Sequence, residues 1–331
     1  MTTTSAATRS QQAGFSLIEL MVGLAIGVFL IAGTLSVYQE SQSAILVSER
    51  MARMQESGRY AVSVIEEDIR AVGLWGLLNA TEYVAGRATP AEPVGILVNS
   101  DCQPNWTVNL DTPIEGANDV NAYAASCLSG VNYIPGSDVL VLRSTNETDL
   151  APGDLVPGGL YIRSDQTHAE IFQGTALPGG FAAGARINAL RSTAYFVSSS
   201  SDSDPQMPSL RRTVIDDSGA LPVVATEEVI AGVEDIQVQY GVDLSGDGSA
   251  NSYINADAVA DPSQIVSLRL WLRMRTARSE VGFEDDIVWE YSDQRFTATA
   301  TVDDTDDAFR RTLVSKTIEL RNRRVAITNG A

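Results

Sequence analysis

From Phe15 to Val37 the chain reads FSLIELMVGLAIGVFLIAGTLSV, an apolar run whose only ionisable side chain is Glu19. At about 1.5 Å of rise per residue, a helix of this length crosses a bilayer core of roughly 30 Å. Beyond the run, Tyr38 to Val72 keeps a helical period and contains no proline. Val47, Met51, Met54, Ala61, Ile65, Ile69 and Val72 recur at helical intervals and mark one apolar face, while Glu49, Arg53, Glu56 and Arg59 lie off it. The two patterns join into one helix predicted over 15–72, with 15–37 crossing a membrane and 38–72 amphipathic. Such a helix would be a rod of about 85 Å. Gly58 interrupts its second half.

After Gly73 the pattern changes to short apolar runs separated by Gly, Pro, Asn, Asp and Ser, which predicts strands and turns over 73–331. Val139 to Arg143 and Ala194 to Ser198 read as short strands, and Ser198 to Asp204 as an exposed loop. The last third gives the clearest alternation. Val266, Leu268, Leu270, Leu272 and Met274 form one apolar face between Ile265 and Arg275. Glu234 to Tyr240 and Thr312 to Arg321 alternate in the same way. The fold class is therefore α+β: a long N-terminal helix, half anchor and half core, packed on a mainly antiparallel β head.

Composition narrows the functions open to this fold. With 331 residues, 44% hydrophobic and 20% charged, most of the chain should fold. Lys and Arg total 23 against 42 Asp and Glu, a net charge of -19, which repels a phosphate backbone and argues against nucleic acid as a partner. The nearest basic group, Arg321, Arg323 and Arg324, reads as the end of a strand. His168 is the only histidine and has no cysteine near it in sequence, so zinc has little support. No GxSxG, Walker-type or HExxH motif occurs, and a non-enzymatic protein is expected. Asp303, Asp304, Asp306 and Asp307 read as a solvated turn. Cys102 and Cys127 would pair as a disulfide in an exported head and stay as two buried thiols in a reducing cytosol.

The N-terminus carries the most specific signal. Residues 1–14 are small and polar with one charge, Arg9. A secretory signal peptide would place a small-x-small cleavage site after its apolar region, and Gly33 to Ser36 match that poorly. A carboxylate near the start of a membrane helix costs on the order of 2.5 to 3.5 kcal/mol on insertion scales, so Glu19 requires a partner or a route to water. The helix dipole and the nearby interface ease that cost. Gly23 and Gly27 form a GxxxG, with Gly33 further on, a spacing that permits close helix packing.

The string Gly14, Phe15, Ser16, Leu17, Ile18, Glu19, followed by an apolar stretch, resembles the class III signal of type IV prepilins and type II secretion pseudopilins. That resemblance implies cleavage after Gly14 by a membrane aspartic peptidase and N-methylation of Phe15. It also implies that Glu19 meets the N-terminal amine of a neighbouring subunit, which would set the register of assembly. The segment Gln55 to Ala61 with Asp68, Ile69 and Arg70, and the ending LVSKTIELRNR over 313–323, resemble PilW-type minor pilins. The implied organisation is a leader 1–14, a helix 15–72 and an extracytoplasmic head 73–331. The protein would be a single-pass inner-membrane subunit with a periplasmic head, reaching the pilus or cell surface on assembly, with prepilin peptidase and other minor and major pilins as partners. The middle, 77–222, carries no such resemblance.

Two other functions stay open at this level. A type II secretion pseudopilin shares the N-terminal signal. A membrane-anchored ligand-binding adhesin would use the unassigned middle and a possible Ca²⁺ loop. In that loop Asp243, Ser245, Asp247 and Asn251 offer oxygens at the first, third, fifth and ninth positions, with Gly248 at the sixth, and Asp257 could complete the shell. Ile254 occupies the twelfth position, where a bidentate Glu would normally sit, and the same residue types also build a hairpin loop.

Overall fold

The structure is a computed structural model, and it describes residues 14, 16–93, 95–299 and 306–322. One helix, α1 (Leu17–Ala71), opens the described fold. Its start is set by a capping box: the Ser16 hydroxyl accepts the Glu19 N–H at 3.2 Å, and the Glu19 carboxylate accepts the Ser16 N–H at 3.1 Å. Its end is set by Gly73, whose φ of 76° a side chain would resist. The helix therefore begins at Leu17, two residues after the expected start, and stops before Val72; Phe15 lies outside the described residues.

The chain divides into two compact units, 1–52 and 53–331. In the first, α1 leaves its apolar side chains uncovered. In the second, the last turns of α1 bury Met54, Gly58, Ala61, Val62, Ile65, Asp68 and Ile69. Met54, Ala61, Ile65 and Ile69 belong to the stripe read from the helical period, Val72 is buried just past the helix, and Val47 and Met51 of the same stripe are only half-buried. Gly58, expected to interrupt the helix, is instead a buried contact. A Cβ there would stand 2.7 Å from Val314 Cγ2, so glycine lets the helix backbone approach the sheet.

The head is built from β1 (Val84–Ala85), β2 (Ile114–Ala117), β3 (Val139–Thr145), β4 (Leu160–Ser164), β5 (Ala169–Gln173), β6 (Arg186–Ser198) and β7 (Ser209–Asp216), followed by β8 (Val223–Ala231), β9 (Val233–Val242), β10 (Ser252–Ile254), β11 (Ile265–Arg275), β12 (Val288–Tyr291), β13 (Gln294–Thr297) and β14 (Arg311–Glu319). An eight-stranded sheet runs β1-β5-β4-β6-β3-β2, with β7 on β6 and β8 on β7. A four-stranded sheet runs β10-β9-β11-β14, and β12 and β13 make a separate hairpin. All pairings are antiparallel except β1 with β5.

β11 occupies the residues predicted for it, and its apolar face is buried at Leu268, Leu270, Leu272 and Met274. The opposite face is not simply solvated, because Arg273 is buried as well. β9 is covered on both faces, which the alternation of Glu234 to Tyr240 does not convey. The strand read at Ala194 to Ser198 is the end of the longer β6, which takes β3 along one edge and β4 then β7 along the other. The Ser198 to Asp204 loop is only partly exposed: Ser198 closes β6, and Ser201 is buried, its hydroxyl 3.3 Å from Glu228 Oε1.

Val139 and Val141 of β3, Leu160 and Ile162 of β4, and Ala194 and Phe196 of β6 pack with Trp75, Trp106, Val108, Leu110 and Leu128 in one apolar core. Much of its outer wall is loop, between β1 and β3. Cys102 and Cys127 are joined there as a disulfide across a sequence separation of 25 residues. Closing a loop of that size stabilises the fold by about 3 kcal/mol in the chain-entropy account. Arg143, fully buried, supports the same wall by donating to the Trp106 carbonyl at 2.8 Å and to Glu115 at 2.7 Å.

The Gly58 contact yields a test. Gly58→Val forces a branched side chain against Val314 and Met274, and the chain should lose about 1–3 kcal/mol of stability by overpacking, read from the midpoint of denaturant unfolding.

Candidate functional site

The first unit presents the residues that the sequence singled out for processing and assembly. Gly14 is exposed and outside the helix. Glu19 sits in the first turn, where the capping box gives its carboxylate a backbone N–H and the helix dipole favours its charge. From there the helix is apolar and uncovered: Leu17 is 81% exposed and Phe29 83%. By length and composition it can cross a membrane. Its hydroxyls are turned inward, Thr34 donating to the Ile31 carbonyl and Ser36 to the Gly33 carbonyl, each at 2.9 Å, so they present no unpaired donor to lipid. A Cβ added at Gly23, Gly27 or Gly33 would meet nothing within 4 Å, leaving these small positions open to close approach by another helix.

In the second unit a different set of charges fixes α1 to the head. Asp68 is buried on the packed face and accepts the Tyr195 hydroxyl at 2.5 Å and Arg191 Nη2 at 2.9 Å, with Arg212 Nη1 at 3.8 Å. Burial, and the negative charge of Asp68, push the Tyr195 phenol well above its ordinary range. Two residues earlier, Glu66 receives Lys316 of β14 and Arg70, and these hydrogen bonds lower its pKa. Asn322 closes the end of the helix by donating to the Arg70 and Val72 carbonyls. Nothing in the helical period marks a carboxylate such as Asp68 for the buried face.

A second buried network holds the β12–β13 hairpin. Glu234 receives Arg311 through two oxygens at 2.8 and 2.9 Å and Arg273 at 3.0 Å. Burial alone would raise the Glu234 pKa, but the two guanidinium groups hold it below the usual range. Arg311 also reaches Asp285 at 3.2 Å and pairs with Asp306. Arg273 lies 3.6 Å from the centre of the Phe296 ring and bonds the Tyr291 hydroxyl, which donates to Asp235 at 2.6 Å. No local pattern announces this group, because its members come from β9, β11, β14, the hairpin strands β12 and β13 and the loops around them.

The loop of oxygen side chains after β9 is closed by its own hydrogen bonds. Asp243 accepts the N–H groups of Ser245, Gly246 and Gly248 at 3.0, 2.7 and 2.6 Å, and Asn251 Oδ1 accepts those of Leu244 and Ser245. Burial would raise the Asp243 pKa, and these donors lower it. Asp257 is turned to other company: together with Asp293 it raises the pKa of Asp119, after burial. Among the described residues no cluster of three or more His, Cys, Asp or Glu side chains is arranged to hold a metal ion. His168 stacks on Phe181 at 4.3 Å. Arg321 is described and exposed at the end of β14, whereas Arg323, Arg324, Asp303 and Asp304 lie outside the described residues.

A long apolar N-terminal helix whose later turns pack on a largely antiparallel β head is a pilin-like architecture. Residues 9–35 match the family described as prokaryotic N-terminal methylation motif, and residues 194–322 match that described as Type IV Pilus-assembly protein W. Together they support a pilin related to the type IV pilus and agree with the resemblance to PilW-type minor pilins. Comparison with curated proteins and with solved structures gave no match. The matches point to a structural pilus component, and the methylation motif implies processing by a prepilin peptidase and contact with other pilins. With the apolar helix it supports a single-pass anchor in the inner membrane.

Removing the buried carboxylate tests how α1 is fixed. Asp68→Ala strands the Tyr195 hydroxyl and Arg191, and should cost roughly 2–4 kcal/mol, seen as a lower urea midpoint.

Proposed function

We propose that this protein is a minor pilin that takes part in assembly of a type IV pilus, in its initiation or at its tip. The observation that carries the reading is the pairing, on one chain, of a methylation motif over 9–35 with a PilW match over 194–322. The N-terminal signal alone would serve a type II secretion pseudopilin equally; the PilW match favours the pilus.

In this reading the leader 1–14 is removed after Gly14 and Phe15 becomes the methylated N-terminus. The head, with its disulfide, lies on the periplasmic side, where oxidation of Cys102 and Cys127 persists. The apolar half of α1 stays in lipid until assembly moves it among the helices of neighbouring subunits, and Gly23, Gly27 and Gly33 allow those helices close. Glu19 then exchanges its local N–H for the N-terminal amine of a neighbour. Two opposite charges in a low-dielectric surrounding each relieve the other's desolvation, and a subunit out of register leaves both unpaired.

Two measurements test the reading. Co-expressed with a prepilin peptidase, the chain should lose residues 1–14, and Gly14→Ala should be cut far better than Gly14→Val. Mass spectrometry that found Met1 retained, or a cut after Gly33, would overturn the assignment. Glu19→Ala should still insert in the membrane but enter pili roughly tenfold less, the equivalent of about 1.4 kcal/mol; undiminished piliation would remove the role given to Glu19.

A further inference from the structure

Most strand edges in the head are short or guarded. β1, β2 and β10 are short, and β8 carries Glu227 and Glu228 and is met at its start by Asn99, whose N–H donates to the Pro222 carbonyl and whose carbonyl accepts the Val224 N–H. β14 differs: it is 9 residues long and pairs only with β11. The Leu320 N–H reaches the Val266 carbonyl and the Thr276 N–H the Arg310 carbonyl, each at 2.9 Å, so in this antiparallel register the even-numbered residues of β14 face β11. Leu313, Ser315 and Thr317 turn their N–H and C=O groups outward, and among the described residues no group bonds them. Ser315 and Thr317 are exposed. Lys316, the only lysine in the chain, does not guard this edge, because its side chain turns to the other face and pairs with Glu66.

The face beside that edge holds a cation ready. On β11, Arg269 stands opposite Thr317 and the half-buried Trp271 opposite Ser315, and each pair shares one face of the sheet. β10 sends Tyr253 across Gly241, where a Cβ would stand 2.9 Å from the ring, and the Tyr253 hydroxyl accepts Ser267 Oγ at 3.1 Å. Arg269 Cζ lies 3.5 Å from the centre of that fixed ring. The neighbours of Arg269 and Trp271 on β9 are the uncharged Gln239 and Gln237. In a chain with 42 Asp and Glu, Arg269 is exposed and, among the described residues, ion-paired to none of them; Glu319, one row along, does not engage it. A hollow of about 280 Å³, lined in part by Tyr253, Ser267, Thr317 and Glu319, opens beside it.

We infer, resting on the minor-pilin reading, that β14 takes a fifth strand from another pilin subunit, an extended segment whose acidic side chain crosses Thr317 to pair with Arg269. The row of outward backbone groups selects a peptide, and the guanidinium selects a carboxylate on it. Trp271 favours an apolar side chain two residues further along that segment, in the row of Ser315. Ser315 and Thr317 are small enough to be crossed from the edge. Stacked on Tyr253, the guanidinium loses little freedom on binding, which favours a charge-assisted pair. At a net charge of -19 two copies of this chain repel each other, so the strand comes from a different subunit.

The test places a photoreactive group, Glu319→p-benzoylphenylalanine, in the full chain within cells that assemble the pilus; Glu319 is exposed and one row from Arg269. Irradiation should give an adduct with the head of another pilin, mapped by mass spectrometry to an extended segment that carries Asp or Glu. Arg269→Glu reverses the charge, and Ser315→Pro removes an outward N–H while sparing the ladder with β11; each should lower the adduct yield about tenfold. Changing the partner's acid to Arg should restore the yield with Arg269→Glu. The inference is overturned by no adduct, by an adduct with a second copy, with residues 323–331 of the same chain or with a protein that is not a pilin, by an undiminished yield in either folded variant, or by failure of the charge swap. If Ser315→Pro lowers the unfolding midpoint, Arg269→Glu, exposed and free of ion pairs, decides. Loss of residues 1–14 is read in the same cells: a cleaved chain without the adduct overturns the docked strand alone, and an uncleaved chain overturns the pilus reading and the docked strand together.

Discussion

The head is organised around the buried face of one helix, and the demanding contact on that face is a carboxylate. Asp68 can be buried only because Tyr195 and Arg191 reach it from β6 and Arg212 stands close on β7. Removing water from a charge is costly, so the partners must be in place whenever the helix is docked. The contact thereby fixes the helix in rotation and along its axis. Apolar packing by Ile65 and Ile69 alone would tolerate sliding; a hydrogen-bonded charge does not. Gly58 then sets the distance at the other end, where the backbone nears Val314.

What the sequence conveyed follows from what leaves a period. The helix and its stripe were legible because 3.6-residue spacing must appear wherever one face is packed. β11 was legible because its apolar face is complete from Val266 to Met274. The roles of Gly58, Asp68, Arg273 and Arg311 were not, since each depends on partners far away in sequence. A glycine that breaks a helix and one that admits a sheet look alike until the sheet is placed. An arginine on the polar phase of a strand looks solvated until Glu234 and Phe296 arrive. The Asp243 loop shows a different ambiguity: oxygens that could face a cation are the same oxygens that cap turn N–H groups, and in the described loop Asp243 and Asn251 do the latter. The N-terminal assignment rested on resemblance, and the methylation-motif match bears out the motif while leaving the roles of Gly14 and Phe15 to experiment.

The PilW match begins at residue 194, inside β6, and so covers the four-stranded sheet, β7, β8 and the hairpin. The strands before it, the disulfide and the loops that wall the core lie outside both matches. The head thus joins a part that follows the matched family pattern to a part outside it, and β6 runs through both. Whatever is presented by the loops near Cys102 and Cys127 is held on a scaffold whose other edge carries the recognised pattern.

The pair between Glu66 and Lys316 joins residues 250 apart in sequence, and Gly58 likewise meets Val314. Helix α1 is therefore completed by β14, far downstream in the chain. Loop closure over such a span comes late in folding, because the entropy of the intervening chain must be overcome before the contact forms. Until β14 is made, the stripe from Met54 to Ile69 waits without it, and a truncated chain ending before Arg311 would leave that part of it uncovered. The order of the chain makes translation through β14 a condition for covering this face of α1, so a product interrupted earlier is marked by the apolar surface it still displays.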